Sequence, residues 1–263
     1  MKTKNHFTLM TIVVIAIVSL CATSIPIIKK DFVKFKEKLF ASRCEVTNKE
    51  YRDFLQDLKS TNQNDKYIKC LYDSTKWVNK FSLSDNEPME NNYHSHIAYD
   101  NYPIVNITLD AAKLYCEWLT NKFNSDSKKE YKKVLFRLPA ETEWKMLAAP
   151  LPGHNLPWYG NFPYVDAEGK TILTNIKIKD NITDKSNYVF DGGFHTLVAG
   201  HYKPNNLGLY DVIGNVSEMT QDGAQKGGSW DNYLEECTID KTQKYDLPDP
   251  RVGFRIIMEV IEE

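Results

Sequence analysis

The second half of the chain carries frequent turn-forming residues and no sustained apolar periodicity. After Pro150, proline and glycine recur at Pro152, Gly153, Pro157, Gly160, Pro163, Gly169, Gly192, Gly193, Gly200 and Pro204. A long irregular segment lacks the ladder hydrogen bonds of helices and sheets, so its backbone polar groups need other partners. Bound cations that collect backbone carbonyls are one such partner. The sequence therefore predicts a loop-rich half that needs ligands to fold.

Acidic side chains in this half have a spacing that suits calcium. Ca²⁺ takes about six to eight oxygen ligands from carboxylates, amide side chains and backbone carbonyls, in irregular geometry. Asp211 and Glu218 bracket a turn at Gly214 whose carbonyls can face the same point. Asp and Asn beside Gly are also ordinary turn and cap residues. On spacing alone, both interpretations remain open.

The regular structure is concentrated in the first half and at the end of the chain. Apolar residues at helical spacing predict an amphipathic helix over 45–58, opened by Thr47 as a cap, and another over 108–123. A short helix is predicted over 141–148, and 252–260 is predicted to be a closing strand with apolar residues on both faces.

The N-terminus contains an apolar segment, because residues 7–28 include no charged side chain. Lysines flank the segment on both sides, at Lys2, Lys4, Lys29 and Lys30. About 20 such residues can cross the bilayer, and residues 9–20 can equally be the core of a signal peptide cleaved near 22–24. A lipoprotein is less favoured, because Leu20 stands before Cys21 where a small residue is needed. Each of these interpretations exports residues 31–263.

Composition limits the remaining possibilities. The 263 residues are 42% hydrophobic and 26% charged, with a net charge of −2, which suits one globular domain over 31–263. This charge gives no basic footprint for nucleic acid. The glycines form no phosphate loop or dinucleotide fingerprint, and Ser229 has no nucleophile elbow around it.

Several short blocks along the chain carry a family resemblance. In chain order they are EVTNKEY at 45–51, YPIV at 102–105, AAKLYCEW at 111–118, FRLPAETEW at 136–144, NNLGLYDVIGNVSE at 205–218, GGSW at 227–230 and GFR at 253–255. This set resembles the formylglycine-generating enzyme family, also called sulfatase-modifying factor domains. The resemblance covers roughly residues 40–258. It implies an α+β fold, a single irregular domain with a C-type-lectin-like core and a loop-rich C-terminal half.

The resemblance also implies two structural calcium sites. In the first, Asp211 and Glu218 would ligate by side chain and Gly214 and Val216 by carbonyl. The second would use the side chains of Asn175 and Asp191 and the carbonyls of Ile176 and Gly193. These ions would hold the loops together and take no part in catalysis.

The catalytic centre of the family is incomplete in this chain. Active members hold copper between two thiolates, a pairing that soft Cu(I) favours. Relative to GGSW those two positions fall on Asn232 and Cys237, so one thiolate is missing and copper is not expected. Glu235 and Glu236 precede Cys237 and would raise the pKa of its thiol. Cys237 and Ser229 are catalytic candidates only if oxidase activity survives.

Other cysteines and histidines give weaker signals. The family often joins the cysteine of its helix, here Cys116, to a position that Ile256 occupies, so that bridge should be absent. Pairing among Cys44, Cys70, Cys116 and Cys237 cannot be fixed from spacing. An iron branch of the fold uses three histidine-type ligands, whereas only His94 and His96 are clustered here, a pair typical of a solvated loop.

The region 73–102 is similar to the gliding-motility and type 9 secretion lipoproteins of Bacteroidota, which act as scaffolds on this fold. Trp77, the stretch 86–88 and the aromatic spacing through Tyr99 and Tyr102 carry that similarity. The chain departs from it by lacking a good lipid-attachment site and the family's opening Gly-x-Phe-x-Met-Gly. The sequence thus predicts an exported, calcium-stabilised, non-catalytic module of the cell envelope or periplasm that binds a protein or peptide. The alternative is a formylglycine-generating oxidoreductase acting on a sulfatase-type cysteine.

Overall fold

The computed structural model describes residues 28–80, 87–148, 174–177 and 193–263. The helices are α1 (Ile28–Asp31), α2 (Asn48–Ser60), α3 (Asn64–Lys69), α4 (Lys76–Lys80), α5 (Glu87–Asn92), α6 (Leu109–Ser125) and α7 (Glu141–Leu147). The strands are β1 (Phe32–Lys36), β2 (Leu39–Ser42), β3 (Lys133–Arg137), β4 (Ser217–Met219), β5 (Ala224–Lys226), β6 (Gln243–Lys244), β7 (Val252–Gly253) and β8 (Ile257–Glu262). The predicted α+β class is confirmed.

The helices begin where the sequence places their caps. Thr47 Oγ1 accepts from the amide of Glu50 and the Glu50 carboxylate accepts from the amide of Thr47, a reciprocal pair that opens α2. Thr108 Oγ1 accepts from the Ala111 amide at 3.1 Å and opens α6. The predicted helices over 45–58, 108–123 and 141–148 therefore exist, with ends shifted by a few residues.

Helix α6 packs against β3 of the larger of the two sheets, and α2 packs against α6. This sheet has the order β1-β2-β8-β3 and all its neighbouring strands are antiparallel. The rings of Tyr51, Phe54 and Tyr115 lie within 5.9 Å of one another and are fully or almost fully buried. Burying such large aromatic side chains contributes much of the apolar driving force for this half of the fold.

The predicted closing strand over 252–260 is wrong as a single element, because the structure divides it between two sheets. Val252–Gly253 pairs in parallel with β4 in the smaller sheet, whose order is β6-β5-β4-β7. Ile257–Glu262 pairs with β2 and β3 in the larger sheet. Apolar residues on both faces indicated burial correctly but did not show that the chain crosses between sheets. Arg255 lies at this crossing.

The loop-rich half is present in the part of the chain that the structure describes. Residues 193–216 contain no helix or strand, and β4 begins directly after them. Side chains hold this segment: Asn205 Oδ1 accepts the amides of Leu207 and Leu209, and Asp211 Oδ2 accepts the amide of Gly200. Residues 1–27, most of the predicted N-terminal segment, lie outside the described residues. Among the described helices, none has the length and apolar character needed to cross a bilayer.

Candidate functional site

Arg255 and Glu218 form an ion pair where the two sheets meet. Arg255 Nη2 lies 2.5 Å from Glu218 Oε1, and neither side chain is exposed to solvent. Arg255 Nε lies 2.7 Å from each carboxylate oxygen, and Trp144 Nε1 donates to Oε2 at 2.7 Å. Each Glu218 oxygen therefore has two donors. The structure uses Glu218, a predicted calcium ligand, as an ion-pair partner.

Two further buried carboxylates lie within reach of the Arg255 charge. We call Glu45, Asp211, Glu218 and Arg255 the Arg255 cluster. Burial raises the pKa of Glu45 well above its usual range, and the charge of Asp211 raises it further. Burial also raises the pKa of Asp211. One guanidinium thus faces three carboxylates in a region of low dielectric, an arrangement that favours uptake of a proton.

Two predicted side-chain ligands each present a buried oxygen without a hydrogen-bond partner among the described residues. These atoms are Asp211 Oδ1 and Asn175 Oδ1. A buried polar atom left unpaired costs roughly 1–3 kcal/mol, so native proteins usually supply a water, an ion or a ligand there. Glu45 Oε2 is also buried and has no hydrogen-bond partner among the described residues. All three atoms are oxygens, the type of ligand atom that a hard cation such as Ca²⁺ requires.

The short described segment 174–177 lies against the turn at Gly214. The hydroxyl of Thr174 donates to the carbonyl of Ile213, and the amide of Asn215 donates to the carbonyl of Asn175 at 2.8 Å. Gly214 has φ +79, and a Cβ atom there would lie 2.3 Å from Thr174 Oγ1 and 2.4 Å from the Asn175 carbonyl oxygen. Glycine is therefore required at this turn both for its backbone angle and for the close approach.

The structure places described segments of the two predicted calcium sites next to each other. The segments holding Asn175 and Ile176 contact the 213–215 turn, so the two ligand sets are neighbours. Gly193 is buried on the loop that continues to Leu197, whose amide donates to Asn215 Oδ1 at 2.8 Å. Asp191 lies outside the described residues. Within the described ranges, no three His, Cys, Asp or Glu side chains are grouped so that they could hold a metal ion.

The residues present fit calcium in part. Asn175 and Asp211 each offer a buried oxygen that has no hydrogen-bond partner in the described ranges, whereas both oxygens of Glu218 are bound to Arg255 and Trp144. In the first predicted site, Asp211 and the carbonyls of Gly214 and Val216 are the groups that would hold a cation. In the second, the described groups are the Asn175 side chain and the carbonyls of Ile176 and Gly193. Such an ion would supply positive charge to a region rich in carboxylates and would join loops that share few backbone hydrogen bonds.

Cys237 is fully buried at the end of the short turn Leu234–Glu236. Burial and the charge of Glu236 raise the pKa of its thiol above the usual range. A Cβ atom added to Gly228 would lie 2.3 Å from Cys237 Sγ, so the backbone of the GGSW turn packs directly on the sulfur. A protonated, enclosed thiol is a poor nucleophile and a poor metal ligand.

Asn232 occupies the position of the missing thiolate and closes the turn with Ser229. Ser229 Oγ donates to Asn232 Oδ1 at 2.7 Å, and the Ser229 amide donates to the same oxygen at 3.1 Å. Cys237 Sγ lies 3.8 Å from the carbonyl oxygen of Asn232. Both catalytic candidates, Ser229 and Cys237, are therefore engaged in the structure of the turn.

The other cysteines in the described residues are free thiols. Cys70 and Cys116 are buried and Cys44 is half-buried, and none of the described cysteines forms a disulfide. Burial raises the pKa of Cys44 to about 12, with the charge of Glu45 adding to the effect. Cys21 lies outside the described residues.

The two clustered histidines have different environments. His94 is buried and stacked on Tyr72 with ring centroids 4.1 Å apart, and its Nε2 lies 3.1 Å from the carbonyl oxygen of Val105. His96 is exposed, and its Nδ1 accepts from the Ala98 amide. The expectation of a solvated loop is right for His96 and wrong for His94. Tyr72 is remote from the pair His94 and His96 in sequence, so its stacking on His94 could not be inferred from the spacing of the two histidines.

Sequence reasoning missed some residues that organise the site. Glu45 and Arg255 each lie in a sequence block that carries the family resemblance. Neither block shows that the two side chains come close enough in the fold to interact. Asn215 adopts φ +56, a backbone angle that Asn tolerates better than other residues with a side chain. Its place between Gly214 and Val216 was a signal for a left-handed turn residue.

Known proteins share these blocks. Residues 30–260 match the model of the sulfatase-modifying factor enzyme 1-like domain. The chain is 26% identical to "Inactive C-alpha-formylglycine-generating enzyme 2" of Bos taurus over 88% of this chain and 74% of that protein. It is 32% identical to the Mus musculus protein of the same name over 58% of this chain and 48% of that one. A "Formylglycine-generating enzyme" of Mus musculus is 27% identical over 46% and 27% of the two chains.

Solved structures share the fold. "PvdO from Pseudomonas aeruginosa" superimposes with a TM-score of 0.55 at 18% identity, over 84% of this chain and 80% of that one. "Treponema denticola variable protein 1" gives a TM-score of 0.52 at 19% identity, over 84% of each chain. These likenesses support the single-domain α+β architecture. With the family match over most of its length and the motif residues assembled as described, the chain belongs to the sulfatase-modifying factor, or formylglycine-generating enzyme, domain family.

Proposed function

We propose that this protein is a non-catalytic member of its family that works by binding a protein or peptide. The observation that carries the proposal is the state of the catalytic turn. Asn232 stands where the first thiolate is needed, and the buried thiol of Cys237 is held protonated by its surroundings. One sulfur cannot reproduce a two-thiolate copper site. The relatives named "inactive" in cattle and mouse are consistent with such a role.

Calcium is proposed as the structural ligand of the loop-rich half. The buried oxygens of Asn175 and Asp211 that have no described partner support it, as does the excess of carboxylates in the Arg255 cluster. The commitment of Glu218 to Arg255 means that the ion would rely on Asp211 and backbone carbonyls more than in the family pattern. Chelation should lower the melting temperature, and elemental analysis should find calcium in proportion to protein.

Export is proposed from the N-terminal sequence. The uncharged segment 7–28 with lysines on both sides would direct residues 31–263 to the periplasm or cell envelope, either cleaved or retained as an anchor. More specifically, we propose a scaffold role of the kind found in gliding-motility and type 9 secretion lipoproteins. Mass spectrometry of the mature N-terminus distinguishes cleavage from anchoring.

Oxygen consumption separates the binding module from an oxidase. The full-length protein, supplied with copper and a cysteine-containing peptide, should consume no more oxygen than the Cys237→Ser variant. An active formylglycine-generating enzyme serves as the positive control. Cys237-dependent oxygen consumption with conversion of the peptide cysteine would refute the proposal. Calcium-dependent retention of one partner from envelope extracts would support it, provided that the partner binds the purified protein directly.

A further inference from the structure

A cavity of about 500 Å³ lies between helix α6, strand β3 and the turn that follows β4, and we call it the α6–β3 cavity. One stripe of α6 forms the first wall, residues 135–138 form the second, and Gln221 and Asp222 form the third. Neither Ser229 nor Cys237 lines the cavity, so it is separate from the catalytic turn. Its volume is in the range of ligand sites in proteins.

Backbone polar groups around the floor of the α6–β3 cavity are bonded within the protein. Thr120 Oγ1 accepts the Phe136 amide at 2.8 Å and donates to the Cys116 carbonyl at 2.8 Å. The Gln221 amide donates to the Pro139 carbonyl at 2.9 Å. Because these groups are already paired, a ligand gains little by hydrogen bonding to the floor. Apolar contact is the interaction that the floor offers.

Leu135 continues the apolar lining to the mouth of the cavity. It is 39% exposed, whereas its neighbours Val134 and Phe136 are buried. A partner group that covered Leu135 and entered the cavity would remove apolar surface on both molecules from water. A bulky apolar side chain is the group that does both.

Two charged residues of the lining already have partners of opposite charge. Arg137 Nη1 lies 2.6 Å from a carboxylate oxygen of Glu143, and Arg137 Nε lies 3.1 Å from one of Glu259. Lys66 Nζ lies 2.9 Å from Glu117 Oε1. These pairs leave no large excess of one charge at the cavity. The lining is therefore a poor match for a polyanion such as a nucleotide.

The two other charged residues of the lining have opposite signs. Lys113 and Asp222 are exposed and have no hydrogen-bond or ion-pair partner among the described residues. The side-chain amide of Gln221, beside them, is also without a described partner and offers both a donor and an acceptor. A peptide with an acidic and a basic residue on either side of an apolar one complements this arrangement in charge and in polarity.

We propose that the α6–β3 cavity binds a peptide segment of a partner protein, with a bulky apolar side chain inside and its acidic and basic neighbours on Lys113 and Asp222. This rests on the proposed binding function, for which it names the site and the chemistry of the partner. The peptide is held by its side chains and does not extend the sheet, because Asn124 and Thr120 already bond to the backbone of Val134 and Phe136.

Methyl NMR of the full-length protein, titrated with the synthetic peptide acetyl-Glu-Phe-Lys-amide, tests the proposal. The methyl signals of Leu135 and Leu138 should shift and saturate. Acetyl-Glu-Ala-Lys-amide should bind at least about 10-fold more weakly, because it buries much less apolar surface. Equal affinities for the two peptides, or shifts confined to methyl groups outside the cavity, would overturn the proposal.

Variants at two exposed leucines separate the cavity from general surface binding. Leu135→Lys places a charge at the mouth and should abolish binding of the phenylalanine peptide. Leu71→Lys is the matched control, because Leu71 is 43% exposed and does not line the cavity, and it should bind as wild type does. Wild-type affinity in Leu135→Lys would rule the cavity out.

A charge exchange tests the role of Lys113. Lys113→Glu should weaken binding of acetyl-Glu-Phe-Lys-amide about 2- to 5-fold, and acetyl-Lys-Phe-Lys-amide should recover the loss. Failure of this recovery would contradict the assignment of the acidic residue to Lys113. If no peptide binds, the cavity proposal is wrong, whereas the non-catalytic function is decided separately by the oxygen assay, since the cavity contains neither catalytic candidate.

Discussion

The guanidinium of Arg255 contacts the carboxylate of Glu218 at 2.5 Å, with both side chains excluded from solvent. Arg255 also donates to three backbone carbonyls, those of Ser42, Arg43 and Tyr210. It therefore joins the end of β2, the irregular 193–216 segment and β4 through one side chain. Because Glu45 and Asp211 lie nearby as well, Arg255 is the cation that the surrounding carboxylates share.

The two partners of this ion pair should differ in their effect on stability. Arg255→Leu leaves three buried carboxylates without their cation and should cost about 3–5 kcal/mol or prevent folding. Glu218→Gln should cost less, because Arg255 still faces Glu45 and Asp211. Urea unfolding in calcium-free buffer measures the free energy of unfolding of both variants.

The exposed pair Lys66–Glu117 is the control, and Lys66→Leu should change stability by less than about 1 kcal/mol. Equal losses for Arg255→Leu and Glu218→Gln would contradict this account of the cluster.

Gly228 should not tolerate a side chain, because Cys237 fills the space beside it. Gly228 has φ +69, and a Cβ there would lie 2.3 Å from Cys237 Sγ and 2.9 Å from Cys237 Cα. Gly228→Ala should destabilise the protein by more than about 2 kcal/mol, from backbone strain together with overpacking. Gly223→Ala shares the strain at φ +82, but its nearest contact is 3.6 Å away, so it should cost about 1 kcal/mol. Thermal unfolding of the two variants compares them, and similar losses would show that the contact with Cys237 is unimportant.

The sequence predicts those parts of the fold that depend on local chemistry. Thr47 and Thr108 accept amide hydrogen bonds at the starts of α2 and α6, as short-range capping requires. The irregular character of 193–216 follows from its turn formers. Such features are set by residues within a few positions of one another, so periodicity and spacing suffice to find them.

Features that depend on distant residues were not predictable in the same way. Residues 252–260 form an apolar run, and nothing local shows that the chain leaves one sheet for the other within it. Glu218 was assigned to calcium from spacing, while its contact with Arg255 arises only when the two sheets meet. The hydrogen bonds of Asn215 with Asn175 and Glu45 likewise join residues that are remote in sequence. Long-range pairing decides these details.

The buried His94 should make the protein less stable in mild acid. The pKa of His94 is lowered to about 3, mainly by burial and also by the charge of Arg52, while the contact with the Val105 carbonyl offsets part of the shift. Because its pKa is lower in the folded state than in the unfolded chain, the stabilisation is complete above the unfolded pKa of about 6.5 and is lost as pH falls toward 3. Between pH 7 and pH 5.5 the loss should be about 1 kcal/mol.

Urea unfolding across this range in His94→Gln tests the assignment. Glutamine can still donate toward the Val105 carbonyl but does not titrate, so the variant should lose that part of the pH dependence. His96→Gln removes an exposed histidine and should keep the wild-type slope. An unchanged slope in His94→Gln would show that other groups cause the acid sensitivity.

Helix α6 protects the edge strand β3 of the larger sheet. Asn124 Nδ2 donates to the Val134 carbonyl and Asn124 Oδ1 accepts the Val134 amide, both at 2.9 Å, while Thr120 Oγ1 accepts the Phe136 amide at 2.8 Å. These side chains occupy backbone groups that an edge strand otherwise offers to another chain. Asn124→Ala should cost about 1–3 kcal/mol by leaving both Val134 groups unpaired. It should also increase concentration-dependent association, measured by light scattering.

Ser125→Ala, which removes an exposed hydroxyl bonded within its own helix, should change neither stability nor association. A variant at Asn124 that stays monomeric and as stable as wild type would show that the helix covers the edge without these bonds.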